Sequence, residues 1–355
     1  MKMLRWTRSR WGLVVALLAD VMLGGPGIPG LPGGPSLNAA MAAQESVTAD
    51  WLAMDGVIGT AVGRDLSGDY VVKVYLTALG MAQLPASVAG VPVQFEITGP
   101  IRALNEPALA DGAPVAAAAD EVDRRANFPR PVPIGVSTGH TGVTAGTLGA
   151  RVTDGGQVFA LSNNHVYANN NEARPGDPLL QPGVADGGRN PTDVVATLHD
   201  FQEIAFCSNR FQCPLNQMDA AIALTSTDDV GFATPDDGYG SPRDTPLEAT
   251  LGTKVQKYGR TTGYTHGTVT GINAVIDVSY RGGTARFENQ ILISGNGFSA
   301  GGDSGSLIVS EGFLAADRRP VGLLFAGSPT STIANPIDIV LDRFDVTIDG
   351  GDDGR

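Results

Sequence analysis

Short apolar runs that alternate with glycine-rich turns constrain the fold of this chain most strongly. From Pro131 onward the runs recur at a spacing of roughly 8–15 residues, which is typical of β-sandwiches and β-barrels. The chain contains 47 Gly and 23 Pro, and charged residues make up only 17% of it. Such a composition favours frequent turns over long charged helices. We therefore predict a mainly β fold, with one helical pattern near the end at Pro336–Phe344.

The sequence predicts five successive segments. They are a signal-like segment with a Pro/Gly spacer (1–45), a small α+β domain (46–105), a linker (106–130), a large β domain (131–345) and an acidic tail (346–355). The small domain has the pattern strand, strand, short helix, strand. It is interpreted either as a removable pro-region or as a permanent assembly module.

The first segment has the features of an export signal. Basic residues precede the apolar run Trp11–Leu23, which is shorter than the ~20 residues of a membrane-spanning helix. We therefore expect a secreted or periplasmic protein without a stable membrane span. The alternative is an N-terminal extension that has no targeting role.

Charge and motif content exclude several classes of function. The chain has 24 Lys+Arg against 37 Asp+Glu and a net charge of −13, which would repel a nucleic-acid backbone. It contains no P-loop, His-Glu-x-x-His or dinucleotide-binding motif. We therefore predict no nucleic-acid partner, no cofactor and no metal. The acidic loop Asp186–Asp193 is interpreted as a solvated loop rather than a calcium site.

The hexapeptide Gly301–Ser306 (GGDSGS) carries a candidate nucleophile, Ser304. A serine hydroxyl attacks effectively only when a base removes its proton and N–H groups stabilise the resulting oxyanion. The flanking glycines allow the N–H groups of Gly302 and Ser304 to converge on one point. The alternative is an ordinary glycine-rich turn between strands.

A base and an acid are available earlier in the chain. The histidines are His140, His165, His199 and His266. None follows Ser304, which excludes the chain order Ser, Asp, His. His165 ends an apolar strand, and Asp219 opens the alternating run Met218–Leu224, where a buried carboxylate would need a partner. We assign a structural role to His266 and no role to His140 or His199.

The order His165, Asp219, Ser304, with its GDSG core, resembles that of the trypsin/chymotrypsin-like serine peptidases. Leu161–Val166 and Gly176–Gly188 are most similar to bacterial trypsin-like peptidases related to the plant NARROW LEAF 1 protein. This resemblance implies a chymotrypsin-like double β-barrel with the site between the barrels. It also implies a serine endopeptidase that forms an acyl-enzyme intermediate on a protein or peptide substrate.

The same resemblance assigns a role to each residue of the site. His165 would be the general base, Asp219 would orient it, and Ser304 would be the nucleophile. The N–H groups of Gly302 and Ser304 would form the oxyanion hole. A substrate pocket would be lined by residues without a carboxylate, which suits an apolar or small side chain: Phe298, Phe325 and Gly327.

Two departures from the family pattern leave an alternative open. Asn163-Asn164-His165-Val166 replaces Ala-Ala-His-Cys, so the usual disulfide behind the histidine is missing. Nothing resembles the new N-terminus that pairs with the aspartate before the serine in trypsin zymogens. The alternative is a binding or scaffold protein that keeps the peptidase fold without turnover.

Cys207 and Cys213 are the two cysteines of the chain. Both lie in the long loop between His165 and Asp219. In an exported protein we expect them to form a small-loop disulfide. The sequence is compatible with a homo-oligomer but does not determine the oligomeric state.

Overall fold

Strands dominate residues 34–80, 83–104, 122–295 and 297–350, which are the residues that the computed structural model describes. The leading elements are α1 (Leu37–Leu52), β1 (Val57–Arg64), β2 (Tyr70–Leu76), β3 (Ser87–Val88), β4 (Val91–Ile97) and β5 (Arg102–Ala103). The middle elements are β6 (Ser137–His140), β7 (Gly146–Thr147), β8 (Ala150–Thr153), β9 (Val158–Ser162), α2 (Asn164–Tyr167), β10 (Pro178–Leu180), β11 (Val194–Phe201), β12 (Leu215–Asn216) and β13 (Ala221–Thr225). The last elements are β14 (Lys254–Gly259), β15 (Gly263–Tyr280), β16 (Gly283–Ser294), β17 (Leu307–Ser310), β18 (Pro320–Gly327), β19 (Thr332–Pro336), α3 (Ile337–Phe344) and β20 (Thr347–Ile348).

Strands β14 to β19 close into a barrel, called here the second barrel. β14 pairs with β15 and β17, β17 with β18, β18 with β19, β19 with β16, and β16 with β15, all antiparallel. Each of the six strands therefore has a hydrogen-bonded neighbour on both sides over at least part of its length. Its interior holds buried apolar side chains, among them Val255, Ile293, Phe298, Ile308 and Leu324.

The other sheet curls into the first barrel. Its strand order is β20, β8, β9, β13, β11, β10, β6, β7. Only Leu148 and Gly149 separate β7 from β8, so the chain itself joins the two ends of the curl. The buried core of this barrel includes Leu148, Leu161 and Ile222. The prediction of a mainly β, two-barrel fold is therefore confirmed.

The leading elements extend the second barrel's sheet. β1 pairs antiparallel with β15 and with β2, and β2 pairs in parallel with β4. α1 covers this extension, with Trp51 and Leu52 packed against Val62, Val72 and other buried apolar side chains. A small α+β unit thus precedes the barrels. Its boundary near residue 105 stays a prediction, because the hydrogen-bonded sheet runs through from this unit into β15.

Two local features differ from the sequence predictions. α1 begins at Leu37, inside the predicted spacer, because its alanines favour helix and Ser36 Oγ accepts a hydrogen bond from the N–H of Ala39 at 3.2 Å. The described residues between β2 and β4 contain the short strand β3 rather than the predicted helix. There a turn with positive φ at Ala89 and Gly90 reverses the chain.

Several predicted segments lie wholly or partly outside the described residues. These are the signal-like run, most of the linker and the end of the acidic tail, which fall in 1–33, 105–121 and 351–355. The start of the predicted tail forms β20, which pairs with β8. No helix in the described ranges is both long and apolar enough to cross a membrane.

Gly149 lies where the first barrel packs closely against the loop that carries Ser304. A Cβ at this position would lie 2.1 Å from the carbonyl oxygen of Gly305 and 3.2 Å from that of Leu161. Both of these oxygens belong to backbone, which cannot move aside as the end of a flexible side chain can. Only glycine therefore allows the two segments to pack as they do.

We expect Gly149→Ala to destabilise the protein by about 1–3 kcal/mol, because the new methyl group must displace backbone. Guanidinium unfolding followed by tryptophan fluorescence measures the change. Gly156→Ala is the matched control, since its Cβ would meet only Asp154 Oδ1, at 3.6 Å. An equal loss in both variants would contradict the packing argument.

Candidate active site

His165 and Asp219 meet because of the pairing between β9 and β13. Ala221 lies opposite Ser162 in this antiparallel pair, so the residues just after β9 face those just before β13. His165 Nδ1 lies 2.5 Å from Asp219 Oδ2, and the His165 N–H donates to Asp219 Oδ1 at 3.2 Å. Both side chains are fully buried. A carboxylate at Nδ1 favours the tautomer that carries its proton there and leaves the Nε2 lone pair available.

Residues of the second barrel hold Asp219 from the other side. Tyr280 Oη donates to Asp219 Oδ2 at 2.8 Å. The side-chain amide of Asn335 donates to the Asp219 carbonyl at 3.1 Å, and its oxygen accepts from the Asp219 N–H at 3.1 Å. Burial, followed by the charge of Asp219, raises the pKa of Tyr280 well above its ordinary value, so this phenol stays a donor. The acid is thus hydrogen-bonded from both barrels.

The two asparagines before His165 have structural partners. Asn163 Nδ2 donates to the Asp219 carbonyl at 2.8 Å. Asn164 Nδ2 donates to the Gln202 carbonyl at 2.6 Å and to Asn171 Oδ1 at 2.7 Å. These bonds fix the turn that carries His165.

Ser304 lies beside the same turn, in the loop between β16 and β17. A Cβ at Gly146 would lie 2.5 Å from a methyl group of Val166 and 3.1 Å from the carbonyl oxygen of Ser304. The Ser304 carbonyl also accepts a hydrogen bond from the N–H of Thr147 at 2.7 Å. The structure therefore brings the predicted base and acid into contact and places the backbone of the predicted nucleophile beside the turn that carries the base.

The hydroxyl of Ser304 is hydrogen-bonded away from the histidine. Its Oγ donates to the carbonyl of Phe325 at 3.2 Å. The Nε2 atom of His165 is buried and has no hydrogen-bond partner within the described ranges. Bonds between a nucleophile and its base are often absent until a substrate is bound, and a buried unpaired nitrogen favours a later partner.

The loop around Ser304 depends on two glycines with positive φ. Gly302 has φ +98° and Gly305 has φ +93°. A side chain at Gly302 would also collide with Arg260 and Thr261. The N–H of Gly302, one of the two predicted oxyanion donors, donates to the carbonyl of Leu104 at 2.5 Å.

Asp303 is buried and fully hydrogen-bonded. Its carboxylate accepts from the N–H groups of Thr261, Thr262 and Ala300 at 2.8–3.1 Å and from the hydroxyl of Thr262 at 2.8 Å. Lys257 Nζ lies 3.7 Å from Asp303 Oδ2, with both side chains fully buried. An internal lysine thus places a positive charge beside this buried carboxylate. Desolvation lowers the pKa of Lys257 to about 8, although the Asp303 charge opposes the shift.

Two sequence interpretations need correction. The ring of Phe325 packs on Phe287, with ring centroids 4.8 Å apart, in the buried cluster that also contains Ile101 and Ala103 and not in the one that contains Phe298. Only the backbone of Phe325 reaches Ser304. Asp186 is interpreted from the sequence as part of a solvated loop. Its carboxylate instead accepts hydrogen bonds from Arg260 Nε at 2.6 Å and from Arg260 Nη2 at 2.7 Å. No cluster of acids, histidines or cysteines suited to a metal occurs among the described residues.

The remaining predicted residues lie as follows. Phe298 is buried in the apolar cluster that also contains Leu324, and Gly327 ends β18 near Ser299. Cys207 and Cys213 are joined by a disulfide. The other histidines have separate contacts: His140 with Asp177, His199 with Phe159 and His266 with Glu311.

Sequence reasoning did not identify Tyr280, Asn335 or Lys257. Each lies in or at the end of an apolar strand, where a polar side chain was the only available signal. That signal does not identify the partner, because the partners lie 61, 116 and 46 positions away in the chain.

Part of the chain matches a known protein family, and about half of it aligns with a known protein. Residues 236–335 match the family model of the Nal1 C-terminal domain. The chain is 29% identical over 203 residues to Protein NARROW LEAF 1 of Oryza sativa subsp. japonica, an alignment that covers 52% of this chain. It spans about a third (34%) of the length of that relative.

Two solved structures are similar over most of the barrel region. Thermobifida fusca Protease A is 18% identical, with a TM-score of 0.42, and the match covers 62% of this chain and 100% of that one. A glutamic acid specific serine protease with a histidine triad in substrate binding is 21% identical, with a TM-score of 0.42, and the match covers 61% and 100%. The two-barrel assignment for this chain depends on the strand pairings given above.

We expect Lys257→Met to cost about 3 kcal/mol at pH 7, because the buried Gly263 carbonyl loses the Nζ donor that the amine provides in either charge state, and Asp303 loses the charge that faces it. The folded protein releases the lysine proton near pH 8, whereas the unfolded chain keeps it to about pH 10.4. In that window the unfolded state binds more protons, so wild-type stability gains from rising pH and the variant does not. The stability difference between wild type and variant should therefore widen by about 1–2 kcal/mol from pH 7 to pH 9.5.

Urea unfolding at both pH values measures this difference. Lys254→Met removes an exposed lysine from the same strand and is the matched control. A difference for Lys257→Met that narrows as the pH rises would contradict the assignment of a buried, desolvated amine.

Proposed function

We propose that this chain is a serine endopeptidase that uses Ser304, His165 and Asp219. The observation that carries the proposal is the buried His165–Asp219 pair, whose Nε2 has no partner among the described residues, on a turn beside which the backbone of Ser304 lies. Isolated histidines and serines are common in loops, but a base oriented by a buried acid beside a glycine-framed serine suits acyl transfer.

In the proposed reaction Ser304 Oγ leaves the Phe325 carbonyl and donates its proton to His165 Nε2. The oxygen attacks the carbonyl carbon of a peptide, and the N–H groups of Gly302 and Ser304 stabilise the negative oxygen that forms. His165 then gives the proton to the leaving amine, which leaves an acyl-enzyme on Ser304. Water, activated by the same nitrogen, releases the acid and restores the serine.

Asp219 serves this cycle by orientation and charge. Its carboxylate fixes the tautomer of His165 and stabilises the imidazolium that forms during each proton transfer. The bonds from Tyr280 and Asn335 keep the carboxylate in place and satisfy it while it is buried. Burial of the pair excludes water, which would otherwise weaken these electrostatic interactions.

A catalytically silent binding protein is the second candidate. Two observations favour it: the Ser304 hydroxyl is bonded to a backbone carbonyl rather than to His165, and Ser304 is fully buried. In this alternative the cleft would hold a peptide without cleaving it.

We expect a fluorophosphonate probe to label the wild-type chain, and Ser304→Ala and His165→Ala to abolish labelling. The reason is that phosphonylation needs both the oxygen and the base that activates it. Peptide hydrolysis should fall by roughly 10⁴-fold or more in both variants and in Asp219→Asn. Gel fluorescence and a fluorogenic peptide assay measure the two effects.

His266→Ala is the control, because its side chain is half exposed and contacts Glu311. It should label like the wild type. Labelling of the folded wild type that is no faster than that of Ser304→Ala would count against the peptidase and favour the binding protein.

A further inference from the structure

The segment Ile101–Leu104 lies in the cleft beside Ser304. It forms β5, which pairs antiparallel with β18 so that Ala103 faces Ala326 and Arg102 faces Gly327. On its other side the Ile101 carbonyl accepts a hydrogen bond from the N–H of Ser279 at 2.9 Å. An extended peptide added to a strand edge is a common way for proteins to bind peptides.

The N–H and the carbonyl of Leu104 are both hydrogen-bonded to backbone groups that surround Ser304. Its N–H donates to the carbonyl of Phe325 at 3.2 Å, the same oxygen that accepts from Ser304 Oγ. Its carbonyl accepts from the N–H of Gly302 at 2.5 Å. A carbonyl oxygen bound by a predicted oxyanion donor is held as the carbonyl of a bound substrate would be held.

The side chains of the segment fit a pocket of matching chemistry. Leu104 packs against the apolar cluster that contains Phe298 and Leu324. A Cβ at Gly327 would lie 3.5 Å from Leu104 Cδ1, so the glycine leaves room for this side chain. Ile101 and Ala103 are almost fully buried, whereas Arg102 is exposed. This alternation of buried and exposed side chains is the one expected of an extended peptide whose buried side chains occupy binding subsites.

The segment also contributes to the burial of the catalytic serine. Ser304 has no exposed surface, and Leu104 lies over the loop that carries it, through the bond to Gly302. A separate substrate could use these backbone groups only after the segment had moved. The segment and an external peptide therefore compete for one site.

We propose that the chain is its own first substrate and cleaves the peptide bond that follows Leu104. This inference rests on the proposed peptidase function. Ser304 Oγ attacks the Leu104 carbonyl carbon, an ester forms, and the bond to the nitrogen of residue 105 breaks. The serine proton passes through His165 to that nitrogen, which leaves as an amine. Water then attacks the ester: its oxygen becomes part of the Leu104 carboxyl group, the bond to Ser304 Oγ breaks, and a proton from the water passes through His165 to restore the serine hydroxyl.

The proposal also predicts which side chain the cleft prefers on the residue before the cleaved bond. The residue before a cleaved bond should be an apolar side chain of about the size of leucine. The bond lies next to the Ala/Pro-rich stretch 107–123 of the sequence. Cleavage there would separate the leading α+β unit from the barrels in the covalent chain while β1 stays paired with β15.

Incubation of the purified full chain, followed by intact mass spectrometry, tests the proposal. We expect two fragments, one that ends at Leu104 and one that begins at residue 105, and none from Ser304→Ala. Leu104→Asp should slow this cleavage about 100-fold or more, because a carboxylate does not fit an apolar pocket. Leu79→Asp alters an exposed leucine of the leading unit and should cleave like the wild type.

A peptide assay keeps the test independent of how well the variant folds. The Leu104→Asp chain, with its own segment weakened, should cleave the synthetic peptide GPIRALNEP, the sequence of residues 99–107, between Leu and Asn. The same peptide with Asp in place of Leu should remain intact. Circular dichroism compares the variant's fold with that of the wild type.

The outcomes separate this proposal from the proposed function. Fluorophosphonate labelling of a chain that stays intact, and leaves the peptide uncut, would overturn self-cleavage and keep the peptidase. Cleavage after Leu104 that persists in Ser304→Ala would overturn self-cleavage as well. If neither the wild type nor Leu104→Asp is labelled, both proposals fail.

Discussion

The buried carboxylate of Asp219 is the interaction on which the arrangement of the site depends. A charge placed in a dry protein interior is costly unless hydrogen bonds and an opposite dipole or charge compensate it. Here the compensation comes from His165 of the first barrel and from Tyr280 of the second, while Asn335 binds the backbone of the same residue. The buried carboxylate therefore links the two barrels by hydrogen bonds and holds the His165 ring through Nδ1. Loss of either contact would leave a buried charge less well compensated and would lower stability.

A second buried carboxylate, that of Asp303 in the loop that carries Ser304, is compensated in the same way. Asp303 is held by three backbone N–H groups, a threonine hydroxyl and the Lys257 ammonium. Trypsin-like zymogens gain the corresponding cation only after a cut creates a new N-terminus. In this chain the cation belongs to β14 and is present from the moment the second barrel folds. The charge that faces Asp303 is therefore part of the folded barrel itself.

The segment Ile101–Leu104 connects the leading unit to the residues around Ser304. It is at once a strand between β15 and β18 and a peptide whose last carbonyl lies on a predicted oxyanion donor. The same backbone groups that complete the sheet are those that a substrate would use. The interpretation of the leading unit as a pro-region and its interpretation as a permanent module are therefore compatible, since a cut after Leu104 need not release strands that remain paired.

The apolar runs of the sequence predicted a mainly β fold, the resemblance to trypsin-like peptidases implied the two barrels, and the sequence also indicated three candidate residues for the chemistry. Alternating apolar runs need no distant information, and His165, Asp219 and the GDSG loop were recognisable from local pattern and chain order. Only the tertiary structure decided which groups complete the site: Tyr280, Asn335 and Lys257, whose partners are remote in sequence. It also decided that Phe325 turns its ring into the core, that Asp186 binds Arg260, and that Leu104 lies at the cleft. The physical reason is that a hydrophobic period depends on neighbours along the chain, whereas the compensation of a buried charge or carbonyl depends on neighbours in space.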